Sequence, residues 1–133
     1  MSRENADRLR KGLIAFSRTG EVDPDVFAQD FELHQASSII DTTGVFHGRD
    51  ALRESLGELQ ESFEQLRFEA EGFLEAPGGE VVVLVHVHGR GRGSGLEIDN
   101  HIAWVCTFRD EQAVRLVVHE EPAEALAALG LDQ

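Results

Sequence analysis

Apolar side chains recur every three or four residues in two parts of the chain, at Leu9, Leu13 and Phe16 and again at Leu52, Leu56, Leu59 and Phe63. This spacing places them on one face of a helix. The first set predicts a helix that ends near Gly20, because glycine commonly terminates helices. The second set predicts an amphipathic helix over residues 49–65.

Two shorter helices are indicated by proline. Asp23 suits a helix cap and Pro24 suits the first position after it, which predicts a short second helix there. Pro122 opens a last short helix that ends at Gly130.

Beyond the second long helix the period changes from about four to two, as in a strand with one solvated face. Before that helix, residues 31–40 are predicted to form a strand and residues 41–50 a turn-rich stretch. After it, four strands follow in a meander, at residues 66–71, 80–89, 96–108 and 113–119. The order predicts an α+β domain with a curved antiparallel sheet and helices on one face.

The alternation also assigns side chains to the two sheet faces. Four valines at 81, 83, 85 and 87 form one apolar row, which should pack on the helices. His86 and His88 then lie on the opposite face, and His101 joins them from the next strand, where pairing with Asp99 or Glu97 is favourable. The same outer face carries apolar residues that a lone domain would expose, which predicts a homodimer through Val82, Leu84, Ala103 and Val105.

Length and charge narrow the class of protein. The 133 residues suit one domain spanning 1–133. With 25 acidic and 12 basic residues, the net charge is −13, which disfavours nucleic acid and anionic membranes as partners. One cysteine, Cys106, and a charged N-terminus without an apolar segment are typical of a cytoplasmic protein.

Three segments carry a resemblance to a known superfamily. They are AFSRTGEVDPDVFAQDFELH, GVFHGRDALRESL and AWVCTFRDEQAVRLVVHEE. In these the chain resembles the NTF2-like superfamily, in particular its SnoaL-like branch with ketosteroid isomerases and polyketide cyclases. The resemblance implies a cone in which the curved sheet wraps around three helices and encloses an apolar pocket for a small molecule. It also implies a dimer through the outer sheet face.

The catalytic residues of ketosteroid isomerases do not carry over. These enzymes use a tyrosine on the first helix, an aspartate base on the first strand and a second acid on the long strand. The matching positions hold Leu13, Gln35 and Trp104. None of the three offers the required carboxylate or acidic donor, so steroid isomerisation by that mechanism is not expected.

Six residues are the candidates for a site. His34 on the first strand and His119 at the end of the last strand are the acid/base candidates, because imidazole can exchange a proton near neutral pH. The alternative for His34 is a histidine at the core edge, and for His119 a solvated strand end. The candidates for the ligand-binding wall are Phe16, Phe46, Asn100 and Trp104.

The His86-x-His88 pair also suggests a metal site, because two imidazoles on one strand can share an ion. Arg90 and Arg92 follow directly, and their charge would oppose a cation. We therefore favour a half-exposed or dimer-buried sheet face, and assign neither metal nor cofactor. Two functions stay open: an acid/base isomerase, cyclase or hydratase acting on an apolar cyclic ligand, or a non-catalytic ligand-binding or dimeric interaction module.

Overall fold

The computed structural model describes residues 2–37 and 42–131, which form three helices and six strands. In chain order these are α1 (Ser2–Thr19), β1 (Phe27–Ser37), β2 (Thr42–His47), α2 (Ala51–Ser62), β3 (Phe63–Glu75), β4 (Val81–Gly91), β5 (Glu97–Arg109), β6 (Gln112–His119) and α3 (Pro122–Ala128). No described helix is both long enough and apolar enough to cross a membrane.

All six strands belong to one curved, open sheet with the order β2-β1-β6-β5-β4-β3. The meander from β3 to β6 is antiparallel, as predicted. The sheet as a whole is mixed, however, because β1 and β6 pair in parallel. The last strand of the meander, β6, lies beside β1 and runs in the same direction as β1. Local periodicity cannot reveal such a pairing between distant parts of the chain. The predicted α+β class and NTF2-like cone are confirmed.

The sheet face that was predicted to pack on the helices does form the hydrophobic core of the protein. Val81, Val83, Val85 and Val87 are all buried there, against residues of α1 and α2. Phe27 and Phe31 of β1 complete the centre of this core, with their rings in edge-to-face contact at 5.3 Å. These long apolar rows are what bind the two helices to the sheet.

The outer face of the sheet, which carries Val82 and Ala103, is partly covered by the third helix. Ala125 of α3 is buried against these two residues, and Leu84 and Val105 pack at the edge of the same cluster. The sheet therefore wraps around two helices, and α3 lies outside. Of the four residues predicted for the dimer face, Val82 and Ala103 are thus already buried beside α3, while Leu84 and Val105 stay partly exposed. Dimerisation itself stays a prediction.

Two local predictions between α1 and α2 are wrong. Asp23 caps a single turn, where its carboxylate accepts a hydrogen bond from Asp25 N at 2.9 Å, and no second helix follows. The chain enters β1 at Phe27 instead, because the sheet buries that side chain completely. The turn-rich stretch contains β2, which is extended because it pairs with β1. Residues 38–40 of the predicted first strand lie outside the described residues.

Candidate functional site

A cavity of about 850 Å³ lies between α1, α2 and the inner face of the sheet. Buried leucines and other aliphatic side chains form its interior, which is lined by Leu33, Leu52, Leu59, Ile102, Leu116 and Val118. Both long helices contribute to it through the apolar stripes recognised in the sequence. The same periodicity that packs these helices on the sheet therefore supplies the wall of the cavity.

Aromatic rings form one side of this cavity. Trp104 of β5 and Phe68 of β3 lie with their ring centroids 5.8 Å apart and their planes inclined by 46°. Phe16 of α1 lines the cavity as well, and Phe73 lies nearer the end of β3. Aromatic walls offer flat apolar surfaces against which a cyclic molecule can pack.

Polar groups are few and lie mostly at the rim of the cavity. Arg10 is exposed, and its guanidinium carbon lies 5.2 Å from the centre of the Phe73 ring. Glu71 is also exposed, and its carboxylate is hydrogen-bonded to His101 Nδ1 at 3.0 Å. Ser55 is different, because it is buried and lines the cavity from α2. Among the described lining residues, Arg10 and Glu71 are the ones with ionisable side chains.

The structure brings together two of the four residues predicted for the ligand-binding wall. Phe16 and Trp104 both line the cavity. Phe46 packs against the core from β2, and half-buried Asn100 pairs with Val87, but neither lines the cavity. A ligand contact by Phe46 or Asn100 therefore stays a prediction without support from this geometry.

The two predicted acid/base residues, His34 and His119, lie on the outer face of the sheet. His34 pairs with Val117 in the parallel ladder, and its Nε2 lies 2.9 Å from a carboxylate oxygen of Glu32. This hydrogen bond holds the pKa of Glu32 below its ordinary value. His119 is half-buried and pairs with Ala103. Strand alternation turns both imidazoles away from the cavity, so their catalytic role stays a prediction that the geometry does not favour.

A second group of side chains gathers on the outer face of the sheet. As predicted, His86, His88 and His101 share this face, and His86 stacks on His101 with ring centroids 4.5 Å apart. His86 Nε2 forms a close hydrogen bond with the Asp99 carboxylate, which raises the pKa of His86. The same bond lowers the pKa of Asp99. Unexpectedly, β3 adds the carboxylates of Glu69 and Glu71 to this group.

Sequence reasoning missed Ser55, although its position could have revealed it. Ser55 falls on the apolar stripe of α2 between Leu52 and Leu59, where a polar side chain interrupts the pattern. Sequence reasoning also missed Phe68 as a partner of Trp104. Their proximity depends on the pairing of β3, β4 and β5, which sequence periodicity does not give.

Comparison with known proteins agrees with this architecture. Residues 18–116 match the family described as the SnoaL-like domain, while no curated protein sequence matches the chain. Among solved structures, TerC co-crystallised with polyporic acid has a TM-score of 0.72 at 19% identity, covering 95% of this chain and 97% of TerC. An NTF2-like protein of unknown function from Burkholderia pseudomallei has a TM-score of 0.70 at 20% identity, with the same coverage.

A third solved structure carries a proposed enzymatic name. It is a putative SnoaL-like polyketide cyclase from Jannaschia, with a TM-score of 0.67 at 17% identity, covering 99% of this chain and 95% of that one. At these identities the likeness extends to the fold alone.

Proposed function

We propose that this chain, which belongs to the SnoaL-like domain family, binds a small, largely apolar cyclic molecule in the cavity between its two long helices and the sheet. The observation that carries the proposal is the cavity of about 850 Å³ with an apolar interior and an aromatic side. Binding sites for small molecules commonly have volumes of roughly 300–1,000 Å³, with apolar walls and a few polar groups that orient the ligand.

The wall indicates how such a molecule would be held. A ring would pack beside Trp104 and Phe68, whose inclined planes form one corner of the cavity. The hydroxyl of Ser55, which lines the cavity, would accept a hydrogen bond from the ligand, because a hydroxyl has two acceptor positions besides its donor. Arg10 at the rim would favour a ligand with an acidic group. Polyporic acid, co-crystallised with TerC, is one such small molecule to test here.

Binding without chemical conversion fits this cavity better than acid/base catalysis. A general acid or base must lie within hydrogen-bonding distance of the reacting group. Among the described lining residues no imidazole is present, and the carboxylate of Glu71 is bound to His101 at the rim. Catalysis by His34 or His119 would need a substrate on the opposite face of the sheet.

Trp104 gives a direct signal for the test, because the chain has one tryptophan and no tyrosine. Titration with the apolar fluorescent anion 1-anilinonaphthalene-8-sulfonate should quench Trp104 emission at a one-to-one ratio. Ala70 lines the cavity, so Ala70→Phe should weaken this binding about tenfold, equivalent to about 1.4 kcal/mol, by filling space. Ala127 lies exposed on α3, so the same change there, Ala127→Phe, is the matched control.

The two variants separate a cavity ligand from surface adsorption. If the probe binds Ala70→Phe and wild-type protein equally well, or leaves Trp104 emission unchanged, the cavity is not the binding site. If Ala127→Phe weakens binding as much as Ala70→Phe, the effect is not specific to the cavity. A panel of cyclic acids, with polyporic acid among them, can then be ranked by displacement of the probe.

A further inference from the structure

We propose that Glu69, His86 and His88 form a binding site for a divalent transition-metal ion of the zinc type on the outer face of the sheet. Each residue offers one ligand atom, and these three atoms all lie within 4.8 Å of one another. The site joins β3 to β4 and is separate from the apolar cavity, so it does not depend on the proposed small-molecule function.

The two distances from the Glu69 carboxylate suit one ion. Glu69 Oε1 lies 3.7 Å from His86 Nδ1 and 3.6 Å from His88 Nε2. Zinc binds such atoms at about 2.0–2.2 Å in tetrahedral geometry, which places neighbouring ligands about 3.4 Å apart. The carboxylate therefore needs to move by only a few tenths of an ångström relative to each imidazole. Two imidazoles and one carboxylate leave the fourth position for water.

The second ring nitrogen of His86 has the partner that a metal-binding histidine usually has. Its Nε2 bonds to the Asp99 carboxylate, which leaves Nδ1 directed toward Glu69. Such an outer carboxylate fixes the tautomer and the orientation of the imidazole and makes the nitrogen a better ligand. Asp99 is the directly paired residue of His88 on β5, so the strand register holds it in place.

His88 supplies an independent observation. Its Nε2 is shielded from solvent and forms no hydrogen bond with the described part of the protein. A shielded polar atom without a hydrogen bond is unfavourable, and binding a metal would remove that cost. The atom lies 3.6 Å from Glu69 Oε1, the carboxylate oxygen that would bind the same ion.

The surrounding charge also favours a cation. The carboxylates of Glu71 and Asp99 lie beside the three proposed ligands. The two arginines that follow His88 in sequence have partners elsewhere: Arg90 pairs with Glu97 at 3.7 Å, and Arg92 Nε donates to the carbonyl oxygen of Gln60 at 2.9 Å. Glu97 therefore balances the charge of Arg90, and the Arg92 guanidinium is held at Gln60 of α2.

Imidazole and carboxylate together suit zinc, whereas magnesium prefers oxygen ligands and retains its water. A second grouping, of Glu71, His86 and His101, also lies within 4.8 Å and shares His86. The first grouping is the stronger candidate, because Glu71 and His101 already form a hydrogen bond at 3.0 Å that a metal would have to break.

The experiment is calorimetric titration of the metal-free protein with Zn²⁺ at mildly alkaline pH, with Mg²⁺ as the comparison ion. We expect one Zn²⁺ per chain, no Mg²⁺ binding, and a higher thermal unfolding midpoint with Zn²⁺ that excess chelator reverses. His88→Gln and Glu69→Gln should each weaken Zn²⁺ binding about tenfold or more, and Asp99→Asn should do so by roughly 10- to 100-fold.

His101→Gln is the matched control, because it removes a neighbouring imidazole of the same face while leaving the proposed ligands intact. It should retain wild-type affinity. The proposal is overturned if Zn²⁺ does not bind, if His88→Gln binds it like the wild type, or if His101→Gln loses binding while His88→Gln keeps it. Circular dichroism without metal verifies that each variant is folded, and a variant that fails is replaced by the alanine substitution at the same position.

Discussion

Two glycines in the middle of helices should respond in opposite ways to the same substitution. Gly12 in α1 is buried, and a Cβ built there would lie 2.9 Å from Val26 Cγ1. Gly57 in α2 has open space, with nothing within 4 Å of such a Cβ. Both alanine substitutions gain helix propensity of about 0.8–1 kcal/mol relative to glycine. Only at Gly12 does the new methyl group meet a closely packed neighbour.

The magnitudes follow from this difference. Carbon atoms pack best at about 3.5–4.0 Å, so the methyl group in Gly12→Ala must push Val26 or α1 aside. Inserting a methyl group into a well-packed core costs about 1–3 kcal/mol, which offsets or exceeds the propensity gain. We expect Gly12→Ala to lower the free energy of unfolding by up to about 2 kcal/mol. Gly57→Ala should raise it by about 0.5–1 kcal/mol.

Urea unfolding followed by circular dichroism measures both values. The double variant Gly12→Ala/Val26→Ala provides a check, because removing the valine methyl groups should restore room for the new one. The two changes should therefore be coupled by at least about 0.5 kcal/mol in a double-mutant cycle. If Gly12→Ala stabilises the protein as much as Gly57→Ala does, the close approach of α1 to Val26 is refuted.

Three further outcomes are expected. Burial shields the Cys106 thiol from solvent and raises its pKa. A thiol reagent such as dithionitrobenzoate should therefore label Cys106 only after the protein unfolds. Fast labelling of the native protein would contradict the burial of Cys106. Phe31→Ala should cost about 3–5 kcal/mol in thermal or urea unfolding, because the ring is fully buried against Phe27. A loss below about 1 kcal/mol would argue against that packing. The two hydrogen bonds from Arg109 hold the pKa of Asp30 below its ordinary value of 3.8. The folded protein is therefore stabilised by this pair above pH 3.8, and the stabilisation is lost as the pH falls through the lower pKa of the folded state. The stability difference between wild type and Asp30→Asn should therefore shrink in acid, and a difference that stays constant would contradict the pairing.

Part of the candidate site could be read from the sequence because it depends on local periodicity. The inward position of Trp104 and the cavity-facing position of Phe16 follow from strand alternation and helical spacing. The same alternation placed His86 and His101 on the outer face. His34 alternates with buried Leu33, which places it on the outer face as well. The pairing of β1 with β6 places it on the outer face beside Val117.

The sequence by itself determined the class of fold, most of the elements and the two faces of the meander, because each depends on spacing within one segment. Only the tertiary structure decided which segments meet. It paired β1 with β6, placed α3 over Val82 and Ala103, and brought Glu69 beside His86 and His88. Strand register and helix docking arise from contacts between residues far apart in the chain, and no local pattern encodes them. Both proposed sites, the apolar cavity and the metal site, consist of such contacts.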